Sequence, residues 1–324
     1  MMRVLLLLLA PVVLSCSPTE RSETIKRVVS AWTSEATSHN SRLLQSAENF
    51  ESSVEQFLTN TNQKNLDTLR TDWEDVHEDF LAVSIFFVGE TNDLMYRIDA
   101  WPILEGFLDS MPDYPQSGII NDYTITIDAA TLINQHGITA AEEVSLGFHA
   151  LEYFVFAPQL VDFLALDPEI SRIASRKRDA IRIITELLIM DINQLVELSS
   201  DRLAELGSDT ESSRMLIESL GRKTADLSRE AQQLFNDHNG HSRFSETSWS
   251  NLRIQAEALS HIMGEPIRVT GHLAHINQAQ AANIAVTMAE ALAITESDRP
   301  DSKEQDRLLF LLSALNGQIA HFID

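Results

Sequence analysis

Apolar residues recur at intervals of three and four positions from Glu23 onward, and sustained alternation of apolar and polar residues is scarce. Intervals of three and four place side chains on one face of an α-helix, whereas alternation is typical of a β-strand. The clearest stripe consists of Leu66, Leu69, Trp73, Val76, Phe80, Val83 and Phe87. The sequence therefore predicts an all-α protein.

Helices are predicted over the segments 24–60, 64–90, 139–157, 167–204, 211–238, 248–263, 270–296 and 302–322. Glycine or proline follows several of these segments, as at Gly89, Gly207 and Pro300, and both residue types commonly end helices. The residues from Thr139 to Glu142 have the spacing of a capping box. We expect them to open the helix at 139–157.

Two segments lack a clear helical pattern. Tyr123–Ile127 alternates like a strand but is too short and isolated for a sheet, and a helix that starts after Asp122 is an equal alternative. Prolines interrupt residues 92–118, yet the apolar residues there, Trp101 among them, require burial. We expect an ordered loop or a set of short helices in that region.

The predicted helices form two sets of about four, which favours two bundles packed together, each resembling a four-helix bundle. The helical domain is expected to span residues 24–322, with the boundary between the bundles at about 160–210. A chain of 324 residues is long enough for one large domain or two of about 150 residues each.

The net charge excludes several classes of partner. The chain has 48 Asp and Glu against 24 Lys and Arg, which gives a formal net charge of −24. Clustered Lys and Arg supply most of the affinity for nucleic acid and for anionic lipid, so neither partner is expected. Nucleotide binding and familiar serine hydrolysis are also disfavoured, because the glycine-rich phosphate loops and the Gly-x-Ser-x-Gly motif are absent.

The first residues resemble a bacterial lipoprotein signal. Arg3 precedes an apolar run from Val4 to Leu14, which is shorter than the roughly 20 residues of a membrane-spanning helix. Cys16, the only cysteine, follows at the position of a lipobox cysteine. Residues 1–15 are therefore expected to be a signal peptide, and 16–23 a lipid-attached tether that holds an exported protein on a bacterial membrane, in the periplasm or at the cell surface. An ordinary secretory signal is the alternative.

His149 and Glu152 lie three positions apart within the apolar run Gly147–Phe156. Residues at this spacing share a helix face, so the imidazole and the carboxylate can converge on one cation. This donor pair suits zinc or iron, and an unpartnered charge in an apolar run would be costly. The pair indicates a metal site, and a hydrogen-bonded core histidine is the alternative.

A zinc peptidase would need a third ligand and a general base as well. The candidate third ligands are His77, His241, His272 and His275. The helical patterns His-Glu-x-x-His and His-x-x-Glu-His are absent, and no residue is marked as a general base. The sequence therefore leaves open whether the chain is an enzyme.

Two other polar groupings have simpler interpretations. His272 and His275 share the three-residue spacing, but Gly271 and Gln278 around them indicate a helix end. We interpret these histidines as making surface or interhelical hydrogen bonds rather than holding a metal. The acidic residues Asp72, Glu74, Asp75, Glu78 and Asp79 are interpreted as a solvated helix face.

The sequence Gly-x-His-x-x-Glu at residues 147–152 resembles the hallmark of the imelysin family. Two further segments agree with that family and occur in the same order along the chain. Asp99-Ala100-Trp101-Pro102 is similar to its Asp-x-Trp-Pro stretch, and His241-Ser242-Arg243-Phe244-Ser245 to its His-Ser-x-Phe-Ser segment. The resemblance covers roughly residues 25–322.

The resemblance implies two helical bundles with a site near their junction. It assigns His149 and Glu152 to that site and adds Gly147, Asp99, Trp101, Pro102, His241, Phe244 and Ser245 as motif or pocket residues. One departure concerns α-helical positions after Trp73, where the family often has an arginine and then an acid. This chain has His77 and Ser84 there, so the charge of its site is expected to differ.

Members of this family are named as insulin-cleaving metallopeptidases and as iron-regulated surface proteins. The resemblance thus implies a lipid-anchored, extracytoplasmic protein that binds a divalent or ferric ion, iron or zinc, through His149 and Glu152. Iron uptake or handling is the expected role, with other iron-uptake components as partners. The alternatives are a zinc-dependent peptidase at the same site and a module that binds a peptide or small molecule between the bundles.

Overall fold

The computed structural model describes residues 18–89, 92–111, 113–114, 117–164, 168–236, 240–264, 267–297 and 300–322. These ranges are helices joined by loops and contain no β-strand, apart from an isolated bridge between Met111 and Tyr114. The predicted all-α fold is confirmed. The expected signal peptide and Cys16 lie outside the described residues.

The helices of the described ranges are α1 (Pro18–Thr59), α2 (Gln63–Ser84), α3 (Asn92–Asp99), α4 (Gly118–Asn121), α5 (Ala129–Gln135), α6 (Gly147–Phe156), α7 (Pro168–Glu205), α8 (Thr210–Asn236), α9 (Ser248–Met263), α10 (Val269–Ala274), α11 (Gln278–Thr295) and α12 (Ser302–Ala320). A 3₁₀-helix at Leu160–Phe163 separates α6 from α7. None of these helices combines the length and the hydropathy that crossing a bilayer requires.

Buried apolar side chains form two clusters, which correspond to the two predicted bundles. The first cluster includes Phe50, Trp73 and Phe148 and draws on the second half of α1, on α2 and on α6. The second includes Trp32 and Leu220 and draws on the first half of α1 and on α8 to α12. Each large apolar side chain buried in this way contributes about 1.5–3 kcal/mol. The two-bundle architecture is confirmed.

The long helix α1 contributes to both clusters, because its apolar face continues through 42 residues. Along α7, the side chains change from the first cluster to the second between Leu195 and Leu203. A single boundary in the sequence therefore does not describe how α1 is shared, and the boundary at 160–210 stays a prediction.

The helix predicted to open at Thr139 begins instead at Gly147. The Glu143 carboxylate accepts hydrogen bonds from the backbone N–H of Thr139 at 2.6 Å and from its hydroxyl at 2.7 Å. The capping-box prediction is wrong, because this pair closes a turn instead of capping a helix. Gly147 has φ +79°, and a Cβ atom there would lie 2.3 Å from the carbonyl oxygen of Ile98. The start of α6 therefore requires glycine.

Two further expectations need correction. The helix predicted at 270–296 is divided into α10 and α11, because the side chain of Asn277 accepts a hydrogen bond from the backbone N–H of Gln280 and caps α11. Tyr123–Ile127 forms neither a strand nor a helix and belongs to the loop between α4 and α5. In the proline-interrupted region the structure describes a short helix, α3, and the loop residues 100–111, 113–114 and 117.

Candidate metal centre

Four side chains from distant parts of the chain converge at one point. His77 lies on α2, Asp99 is the last residue of α3, His149 lies in the first turn of α6, and His241 lies in the loop between α8 and α9. One nitrogen or oxygen atom from each lies within 4.8 Å of the others. Among the described residues, these three histidines and one aspartate form a group that could hold a metal ion. We call it the His77 cluster.

The Asp99 carboxylate is the centre of the His77 cluster. Its Oδ1 lies 3.1 Å from His77 Nε2 and 3.2 Å from His149 Nε2. Its Oδ2 lies 3.3 Å from His241 Nε2. One carboxylate therefore contacts three imidazoles, and the contacting atom of each imidazole is Nε2.

Aromatic side chains pack against the imidazoles of His77 and His241 and connect the helices around the cluster. Trp73, one helical turn before His77, donates a hydrogen bond from its indole to the carbonyl oxygen of Phe148 at 3.1 Å and so ties α2 to α6. The rings of Phe148 and His77 lie 4.8 Å apart, and those of Trp101 and His241 lie 4.9 Å apart. These rings leave the imidazoles little freedom to turn.

Glu152 holds the other nitrogen of His149. Its Oε2 lies 2.8 Å from His149 Nδ1. Its Oε1 accepts hydrogen bonds from the backbone N–H groups of Phe244 and Ser245, both at 2.9 Å, and from the Ser245 hydroxyl at 2.8 Å. Both carboxylate oxygens are thus engaged, and the contacts of Glu152 fasten the loop that carries His241 to α6.

The imidazoles of His241 and His77 also have polar neighbours at Nδ1, the ring nitrogen that does not contact Asp99. His241 Nδ1 and Glu230 Oε1 lie 3.7 Å apart, and both atoms are buried without a hydrogen-bond partner. The second oxygen of Glu230 accepts a hydrogen bond from Gln255 at 2.7 Å. The Asn251 amide nitrogen lies 3.5 Å from His77 Nδ1. Partners of this kind fix the orientation of imidazoles in metal sites.

Electrostatics place a proton on His149. Burial opposes its charge, but the hydrogen bonds that its ring donates to Asp99 and Glu152, together with the negative charges of these carboxylates, raise the pKa of His149 to about 9. Burial lowers the pKa of His77 to about 4, although Asp99 opposes the change. Burial would raise the pKa of Asp99, but the contacts with His241, His149 and His77 hold it well below its usual value. A cation bound at the cluster would supply the positive charge that this proton now supplies.

The donor set fits a transition-metal ion. Three imidazole nitrogens and one carboxylate oxygen suit zinc or iron. Ligand atoms at about 2.1 Å from a tetrahedral ion would lie about 3.4 Å from one another. The Nε2 atoms of His77, His149 and His241 lie 3.1, 3.2 and 3.3 Å from the oxygens of Asp99. These distances are close to that spacing, and since all four ligand atoms lie within 4.8 Å of one another, small shifts of the side chains would bring them around such an ion.

The cluster has one open edge. The side chains of His77 and His149 are each 1% exposed, whereas that of Asp99 is 12% exposed. Asp99 and His241 line a neighbouring cavity of about 300 Å³. An ion or small ligand would therefore reach the cluster from the side of Asp99 and His241.

The structure brings together four residues that the sequence indicated: Asp99, His149 and two of the candidate third ligands, His77 and His241. His77 lies at a position where the family often has arginine. Glu152 contacts His149, as its spacing predicted, but through the nitrogen that faces away from Asp99.

The remaining indicated residues surround the cluster or lie elsewhere. Gly147 brings α6 against α3, and Trp101 packs on His241 with half-buried Pro102 beside it. His272 and His275 contact Ser213 at 2.5 Å and Thr24 at 3.4 Å, as their interpretation as interhelical hydrogen-bonding groups predicted. The acidic residues of α2 from Asp72 to Asp79 are exposed or half-buried.

Glu230 and Asn251 were not indicated by the sequence. Both lie on helices, α8 and α9, at positions that carry no motif. Their role depends on which faces of these helices turn toward the loop of His241, and a single sequence holds no signal for that.

The geometry defines a helical protein of two bundles with a buried centre of three histidines and one aspartate. Residues 36–309 match the family model Peptidase M75, described as imelysin. The chain belongs to the imelysin family. None of the curated protein sequences gives a significant match.

Two solved structures share the fold. A protein described as an iron-regulated protein A precursor from Parabacteroides distasonis aligns with a TM-score of 0.66 and 12% identity, over 95% of each chain. An imelysin-like protein from Psychrobacter arcticum 273-4 aligns with a TM-score of 0.63 and 14% identity, over 92% of this chain and 93% of that one. At such identities the similarity concerns the fold alone.

Proposed function

We propose that this chain binds a transition-metal ion, with iron as its cargo, at the His77 cluster. The observation that carries the proposal is the convergence of four ligand atoms within 4.8 Å in a buried site. Iron is favoured over zinc because one structural neighbour is described as an iron-regulated protein. The donor set itself accommodates both metals.

In this proposal the ligands are His77, Asp99, His149 and His241. Glu152 does not bind the ion but orients His149, because both of its oxygens are engaged by other donors. This assignment replaces the expectation that His149 and Glu152 together chelate the cation. The formal net charge of −24 would raise the local concentration of cations without selecting among them.

The place of the protein in the cell remains part of the proposal. We infer an exported protein, tethered to a bacterial membrane by lipid on Cys16, that handles iron in the periplasm or at the cell surface together with other uptake components. Two observations support this inference. A lipobox-like sequence precedes Cys16, and the Parabacteroides neighbour is described as a precursor.

The burial and the hydrogen bonds of Glu152 favour metal binding over peptide hydrolysis as the function of this site. A peptidase needs a carboxylate or another base within reach of a water molecule. Glu152 is 1% exposed and already accepts from His149, Phe244 and Ser245. The cavity of about 300 Å³ is at the small end of ligand pockets.

Elemental analysis and calorimetric metal titration of the full chain test the proposal. We expect one ion per wild-type chain and at least a 100-fold loss of affinity in His149→Ala and in His241→Ala. His261→Ala is the matched control, because this histidine on α9 has a side chain 42% exposed and lies outside the cluster. Undiminished stoichiometric binding by His149→Ala would overturn the metal assignment. Peptide cleavage that disappears in Glu152→Gln while metal stays bound would favour the peptidase.

A further inference from the structure

The cavity beside the His77 cluster contains a cationic side chain that the metal-binding proposal does not use. Asp99 and His241 form one wall of this cavity, and Lys223 of α8 lines another part of it. Lys223 is half-buried. Across the described part of the chain it makes no hydrogen bond or ion pair, although it is attracted to the charges of Asp226 and Asp99.

Three acids, Asp99, Asp226 and Glu230, line the cavity with Lys223, and among the described contacts none pairs with it. Glu230 accepts a hydrogen bond from Gln255 and lies 3.7 Å from His241 Nδ1. Asp226 pairs with Arg229 at 2.5 Å. Asp99 contacts three imidazoles. Burial lowers the pKa of Lys223, with Asp226 and Asp99 opposing the change, which is the behaviour of an ammonium group that lacks a close partner. The cavity thus holds a cation that has room for an anionic partner.

The size and position of the cavity restrict that partner. About 300 Å³ accommodates a small molecule rather than a peptide. The cavity adjoins the His77 cluster at Asp99 and His241, which form the open edge of the cluster. Iron takes more ligands than the four of a tetrahedral ion, so the four protein donors would leave room on it for an oxygen ligand from outside the chain.

We propose that this cavity binds a small carboxylate anion between Lys223 and the cation of the His77 cluster. The cargo would then be held as a ternary complex of protein, metal ion and organic acid. The inference rests on the proposed function, since the anion needs the cation as its second partner. It assigns Lys223 as an anion-binding residue and makes small anionic metal chelates the ligand class.

The test uses the full chain with Co(II), whose visible absorption reports its ligands, and malonate as the carboxylate. Malonate affinity is measured by calorimetry with and without Co(II). We expect malonate to bind the Co(II)-loaded wild type at least tenfold more tightly than the metal-free protein and to shift the Co(II) spectrum. Lys223→Gln should lower malonate affinity at least tenfold and leave Co(II) affinity, measured without malonate, within twofold of wild type.

Two further variants and a control test whether malonate affinity depends on the positive charge at position 223. Lys223→Arg should retain most of the malonate affinity, and Lys223→Met should lose it while keeping the apolar stem. Lys303→Gln makes the same change as Lys223→Gln at an exposed lysine of α12 and should alter neither affinity. Circular dichroism verifies that each variant is folded.

The outcomes separate the two proposals. If Co(II) does not bind the wild type, the proposed function fails and this inference fails with it. If Co(II) binds but malonate affinity is the same in wild type and Lys223→Gln, only the inference is overturned. Removal of Co(II) from the protein by malonate, without a ternary spectrum, overturns it as well.

Discussion

The Nε2 atoms of His149 and His241 lie 3.1 Å apart, although α6 and the loop before α9 are separated by the whole of α7 and α8. Two imidazole nitrogens at this distance share one proton or one cation, because two N–H groups would repel each other. His149 belongs to the helix packed in the first apolar cluster, and the loop of His241 leads into a helix of the second. An ion at this point would therefore connect the two bundles.

Metal binding should stabilise the whole fold for that reason. At a free metal concentration 100 times the Kd, binding to the native state alone adds about 2.7 kcal/mol to the free energy of unfolding. We expect the Tm of the wild type to rise by at least about 3 °C on addition of Zn(II) or Fe(II). Differential scanning calorimetry measures this rise. His149→Ala should show no rise, and an equal rise in this variant would contradict binding at the cluster.

Glu152→Gln should weaken metal binding without abolishing it. The amide can keep contacts with the loop of Ser245 but loses the charge that orients His149, and loss of such an outer partner typically costs about 10–100-fold in metal affinity. Calorimetric titration should place this variant between wild type and His149→Ala. Glu186→Gln, on α7 with a side chain 56% exposed, is the control. An affinity loss equal to that of His149→Ala would instead make Glu152 a ligand.

Helix type and bundle number were predictable because they follow from local spacing. An apolar stripe such as the one from Leu66 to Phe87 must be buried whatever its partner is, and α2 forms where the stripe predicts it. The failure at Thr139 also has a local cause. The Thr139 side chain donates to Glu143, one position beyond the residue that a capping box would use.

The site was less predictable because it depends on contacts between distant segments. His149 and Glu152 could be paired from their spacing, and His241 was one of four candidate third ligands, whereas Asp99 was indicated only by the resemblance to a family. His77 stood out as a departure from that family's pattern, and its contact with Asp99 at 3.1 Å depends on how α2 meets α3. A pattern within one segment does not contain that relationship.

Gly147 should be intolerant of substitution. Gly147→Ala would place a methyl group 2.3 Å from the carbonyl oxygen of Ile98 at a residue with φ +79°. The two effects together should lower the free energy of unfolding by about 2–5 kcal/mol. Urea denaturation measures the change. Gly317→Ala is the matched control, because a Cβ atom there meets nothing within 4 Å. It should stabilise α12 by up to about 1 kcal/mol, and equal effects at the two glycines would contradict this account.

Stability should also fall in mild acid through His272, which lies outside the His77 cluster. Its Nε2 lies 2.5 Å from the hydroxyl of Ser213, and burial lowers its pKa from 6.5 to about 4. A histidine whose pKa is lower in the folded state favours folding above its unfolded pKa, and this contribution is lost as the pH falls from about 6.5 toward 4. We expect a loss on the order of 2 kcal/mol across that window.

His272→Gln isolates this contribution, because glutamine can keep a polar contact with Ser213 but does not titrate. The variant should be less stable than wild type at pH 7.5, since the imidazole packing is lost, and the difference should narrow or reverse near pH 4.5. Urea denaturation of both proteins at several pH values measures the difference directly, and carboxylates that titrate in both proteins cancel from it. A difference that stays constant from pH 7.5 to pH 4.5 would show that His272 is not forced to remain neutral in the folded protein.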